Sequence, residues 1–175
     1  MASPLNQTPG DALHTYEPVD LEGMSPRQAV DAVTADIRDH HITVDETGLF
    51  NAMRHIDLLC HLATRMAADV EYKIANVAGL PPVETLGQSV GHLGRAVAHY
   101  TQALAPLITL TTGSQDTLQQ KLDALDHHSR LRVHLDDAGR ALAAARTALE
   151  VPQPPAVPST SAPAPSHAPS VRRRA

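Results

Sequence analysis

The chain has 175 residues, is 42% hydrophobic and carries a net charge of −5, which sets the expectation of one domain with a single core. Its apolar residues are mostly Ala, Leu and Val, with one Phe (Phe50), three Tyr and no Trp. Such a core suits closely spaced helices and argues against a sandwich or barrel. The single cysteine, Cys60, excludes an intramolecular disulfide and a zinc finger and fits a reducing cytosol.

Residues 1–24 hold four acids, no base, and Pro4, Pro9, Gly10, Pro18 and Gly23, and read as an extended arm. At Ser25 the pattern changes. Ser25 is a good N-cap, Pro26 suits the first helical position and Gln28 completes a capping box. Val30, Val33 and Ile37 then line one face of a helix predicted over 25–40.

Thr43 and Glu46 supply a second capping-box pattern, and a long helix over 46–78 follows. Leu49, Met53, Ile56, Cys60, Ala63, Ala67, Val70, Ile74 and Val77 recur in steps of four and three, so this line is predicted to face the core. Gly79, Leu80, Pro81 and Pro82 stop the helix and turn the chain. The third helix, over 83–110, repeats the pattern through Leu86, Val90, Leu93, Val97, Tyr100, Leu104 and Leu107, with Pro106 expected to kink or end it.

Ser114 is the predicted cap of the fourth helix, over 114–150. Leu118, Leu122 and Leu125 set one phase in it. Leu131, Leu135, Ala138, Leu142, Ala145 and Leu149 set another, and a skipped residue between them rotates the seam. From Val151 onward seven of 25 residues are Pro, among Ala, Ser and Thr, a composition that stays disordered. The expected fold is therefore all-α: an antiparallel bundle of three long helices plus one short N-terminal helix over 25–150, with a disordered Pro/Ala/Ser-rich tail over 151–175 ending in Arg-Arg-Arg.

Several features bear on function. Beside the heptad line of the second helix runs a second apolar seam, Leu58, Leu59, Leu62 and Met66. The first helix covers it, or it is an interaction face for a second copy or a partner helix. Gly87, Gly91 and Gly94, with Ala98, form a ridge of small residues inside a helix, which implies close approach by another helix within the bundle or docking of a partner.

Eleven histidines raise the question of a metal. His61, His99 and His127 fall near one level of an antiparallel bundle, but His61 and His99 sit at outward-leaning positions, and the chain has no Glu-x-x-His pair of the di-iron type. They are weak candidates, and no metal or cofactor is expected. Cys60 reads as a packing residue and the Arg132, Asp136, Arg140 series as an ion-pair ladder on a solvated face. The mildly acidic body, with fifteen acids and eleven bases over 25–150, is a poor nucleic-acid surface.

Nothing resembling a secretory signal opens the sequence, and the longest apolar stretch, Ala103 to Leu110, is too short to span a bilayer, so a cytoplasmic location without membrane insertion is expected. Twelve Arg against two Lys hints at a GC-rich bacterial genome. The reading is a non-enzymatic interaction or scaffolding protein that binds a protein partner or itself through a helical face. The alternatives are a bundle binding a metal or small ligand, and a regulator contacting nucleic acid through Arg172, Arg173 and Arg174.

Because the tail has no aliphatic pattern with which to dock, truncation after Glu150 should leave helicity per molecule and Tm nearly unchanged. A thermal melt followed by circular dichroism checks this, and a drop of more than a few degrees would show that the tail packs on the bundle.

Overall fold

The computed structural model describes residues 19–76, 81–114 and 116–150. Their regular structure is helical: α1 (Pro26–Asp39), α2 (Glu46–Asn76), α3 (Pro81–Thr112) and α4 (Leu118–Ala148). The expected arm over 1–18, the stop at Val77 to Leu80 and the tail over 151–175 lie outside the described residues.

The helices begin where side chains satisfy their free N–H groups. At α1, Ser25 Oγ accepts from the Gln28 N–H, and Gln28 Oε1 accepts from the Ser25 N–H at 3.0 Å, with Pro26 in the first position, as expected. At α2 the cap is Asp45 rather than Thr43. Asp45 Oδ1 accepts from the Gly48 N–H at 2.7 Å and from the Thr43 hydroxyl at 2.7 Å. These bonds, the one from Gly48 first, hold the Asp45 carboxyl below its usual range. At α4 the cap is Thr117 rather than Ser114: Thr117 Oγ1 accepts from the Gln120 N–H and Gln120 Oε1 from the Thr117 N–H, which completes the box. α3 runs through Pro106 to Thr112, so the helix does not end at this proline.

Contacts between α3 and α4 are the most extensive, followed by those between α2 and α3, and α1 touches both α2 and α4. The helices thus close into a ring in the order α1, α2, α3, α4. Polar bonds fix α1 and the segment before it. Arg146 Nε donates to Asp31 Oδ1 at 2.6 Å, and Arg65 donates to the carbonyl oxygens of Leu21 and, at 2.6 Å, Met24. Between α3 and α4 the buried Ser89 hydroxyl donates to the Ala145 carbonyl at 3.0 Å.

The ring is complete along only part of the bundle. α1 has 14 residues and α2 has 31, so α1 spans less than half the length of its neighbour. The core divides accordingly. Val30 and Val33 of α1 join Leu59, Leu62, Met66, Leu93, Ala96, Leu142 and Ala145 in the larger cluster. The smaller one, Ala52, Ala103, Leu107, Leu110 and Leu131, has no residue of α1.

The inward face of α2 differs from the expected one. Ala52, His55, Leu59, Leu62 and Met66 are buried, whereas Met53, Cys60, Ala67 and Ile74 of the heptad line are exposed. Both lines step by three and four and lie side by side. Packing selects the one with the bulkier central residues and turns Cys60 outward, so Cys60 is not a packing residue. On α3 and in the second half of α4 the expected phase holds, with Leu86, Leu93, Tyr100 and Leu107 and with Leu131, Ala138, Leu142 and Ala145 buried.

Gly48 is required by its neighbours: a Cβ there would strike the Thr43 backbone, lying 2.6 Å from its carbonyl carbon. Gly91 and Gly94 instead face open space. Gly48→Ala should therefore cost about 2 kcal/mol or more, whereas Gly91→Ala should gain about 0.5–1 kcal/mol from the better helix former. Urea unfolding of the two variants checks both signs.

Candidate interaction surface

The phase break expected in α4 determines what that helix shows to its surroundings. α4 is one uninterrupted helix of 31 residues and keeps a single inward direction, set by Leu131, Ala138, Leu142 and Ala145. Followed back along the helix, that direction passes through Ala124, which packs on the smaller core cluster. At about 100° per residue, Leu122 lies half a turn round the helix from Leu131, and Leu118 and Leu125 lie within about 60° of Leu122.

These leucines therefore point away from the bundle. Leu118 is 76% exposed, Leu122 52% and Leu125 64%, and Val133 continues the stripe at 51%. No residue over 118–130 is buried. Leaving these three leucines in water forfeits on the order of 3–6 kcal/mol relative to burying them. Together they form an apolar stripe on the face of α4 farthest from the core.

The polar residues beside the stripe are sorted by sign. Helical spacing puts Lys121, His128 and Arg132 on one flank, and Asp126 and Asp123 on the other, where Arg130 pairs with Asp126 at 2.9 Å. Arg132 pairs with Asp136 at 3.9 Å, but Arg140 turns to Asp137, so the expected ladder is not continuous.

The residues singled out from the sequence take other places. Leu58, Leu59, Leu62 and Met66 are at most 5% exposed and belong to the larger core cluster, together with Val30 and Val33 of α1. In the folded chain this seam is core and is not free for a partner. Gly87, Gly91 and Gly94 are exposed, with nothing within 4 Å of a Cβ built on any of them, so the ridge does not serve close packing inside the bundle.

The three candidate histidines are dispersed. His61 is exposed on α2 beside Val19, Leu21 and Arg65. His99 lies on α3, 3.9 Å from Asp137, with its ring 6.2 Å from that of His134. His127 borders a shallow depression with Thr109, Leu110 and Ala124. Among the described residues no three His, Cys, Asp or Glu side chains are grouped so that they could hold a metal ion, and no helix is long and apolar enough to cross a membrane.

One buried group was not anticipated. His55 is 1% exposed, meets the Tyr100 ring edge-on at 5.5 Å, and among the described residues finds no hydrogen-bond partner for either ring nitrogen. Its position is apparent from the sequence only once the correct face of α2 is known. Burial first, then repulsion from His40, lowers its pKa to about 4, and burial pushes the Tyr100 hydroxyl up to about 12.

No protein-family model matches the chain, nor does any curated protein or any solved structure.

The histidine gives a pH dependence with a definite sign. Below pH 6.5 an unfolded His55 takes up a proton that the folded one refuses until about pH 4, so stability falls as the pH drops through that window. The loss from this group should reach roughly 3 kcal/mol at the acid end. Urea unfolding of wild type and His55→Leu at pH 7 and pH 4 should show the variant losing less stability by about that amount.

Proposed function

We propose that this chain is a non-enzymatic interaction protein that binds an apolar helix along the outer face of α4. The observation supporting this reading is the direction of Leu118, Leu122 and Leu125, which among the described residues no helix reaches without a rotation of α4 that would expose Leu131 and Leu142. A solvent-facing helix gains nothing in folding from three leucines at helical spacing. A second helix laid along them recovers their burial, in the helix-in-groove manner with anchors at i, i+4 and i+7.

The reading keeps the expectation of a helical interaction face and moves it from α2 to α4. The seam on α2 is taken up by the fold. No alternative class has an observation of comparable weight.

A photo-crosslinking side chain at position 122, introduced into the protein in its native host, should form adducts with protein. The same group at position 102, on the exposed outer side of α3, should not. Equal yields at the two positions, or none at 122, would remove the basis for assigning function to this face. Leu122→Glu should abolish partner capture while leaving Tm within a few degrees of wild type, because a surface change away from the core costs little.

A further inference from the structure

Resting on that reading, we propose that the helix received by this face is α4 of a second copy of the chain, and that the two helices lie parallel about a two-fold axis. Leu118, Leu122 and Leu125 step by four and then three, so they occupy d, a and d of a heptad, with Ser129 at the next a position. In that register Lys121 is a g residue and Asp126 is the e residue five positions on. This is the spacing at which parallel helices form ion pairs across the seam.

The two-fold axis makes the pair reciprocal: Lys121 of each copy meets Asp126 of the other. Among the described residues no ion pair to Lys121 occurs within one chain, and Lys121 is exposed. Asp126 is 56% exposed at its side chain even while it pairs with Arg130, so it can accept a second cation.

The antiparallel arrangement lacks this complementarity. Antiparallel pairing sets each flank against its own copy, which brings Lys121 towards His128 and Asp126 towards Gln119. The parallel pair also has a natural end. Arg132 and Asp136 take the next d and a positions and each would meet its own copy there, so contact runs from Leu118 to Ser129 and the helices diverge beyond it.

An interface of this length is small, and the expected behaviour is a reversible monomer–dimer equilibrium in the micromolar range or weaker. Sedimentation of the full chain from micromolar to millimolar concentration should show the weight-average mass rising toward twice the monomer. Leu122→Glu should hold it at the monomer while the circular dichroism spectrum stays unchanged. Lys121→Asp and Asp126→Lys, each placing like charges across the seam, should each weaken dimerisation about 3- to 10-fold, and the double exchange should restore it.

Orientation is read separately. In a Cys60→Ser background, Ser129→Cys should form a disulfide-linked dimer under mild oxidation, because parallel pairing sets residue 129 beside its own copy. Failure of the double exchange to restore affinity, or absence of the disulfide in a protein that does dimerise, would overturn the parallel arrangement. A chain that stays monomeric to millimolar concentration would overturn self-pairing altogether. If crosslinking at position 122 still yields adducts with a different protein, the helix-binding reading survives; if it yields none, that reading fails as well.

Discussion

An α-helix has one inward direction along its whole length unless it is broken or supercoiled, and α4 is required to serve two apolar lines with one. The line through Leu131, Ala138, Leu142 and Ala145 wins because it meets α3 along the most extensive helix–helix interface of the bundle, reinforced by the hydrogen bond from Ser89 to the Ala145 carbonyl. Rotating α4 to bury Leu118, Leu122 and Leu125 would expose that line and break this bond. The outward stripe is therefore the remainder of a packing conflict settled at the other end of the same helix.

α1 shapes the bundle in a second way. By covering Leu59, Leu62 and Met66 it turns what would be an exposed half-circumference of α2 into core. It is held in place from both sides, by Arg146 on α4 and, through the segment that leads into it, by Arg65 on α2. Its 14 residues close the ring at one end only. At the other end three helices and the connection between α1 and α2 suffice, with Ile42 packed on both clusters and Asn51 donating to the His41 carbonyl at 3.0 Å.

Much of the fold was legible in the sequence. The four helices, their order and the Ser25 cap follow from periodicity and capping chemistry, as does the phase of α3. The phase of α2 was not legible, because the true inward line contains His55 and is broken by a polar residue that tertiary burial accepts, whereas the neighbouring line is apolar throughout. The caps of α2 and α4 were misplaced by a few residues each, since Thr43, Asp45, Ser114 and Thr117 are all competent acceptors and only the path of the chain selects among them. For the candidate surface, the two phases of α4 were visible in its leucines. Which of them faces water was not, because that depends on α4 staying unbroken through His127 to Arg130, so that the packing of Leu131 to Ala145 sets the direction of the whole helix.

The half of α4 over 118–130 has consequences for how the molecule breathes. With no buried residue in that stretch, its backbone hydrogen bonds are guarded by little more than the Thr117–Gln120 cap and the partial contacts of Ala124 and His127. Amide exchange there should proceed by opening of this segment alone, at a free energy well below that of global unfolding, while amides near Leu142 wait for the whole bundle to open. On this expectation the bundle opens as two units that share one continuous helix, and whatever lies along the leucines adds its binding free energy to the weaker of them.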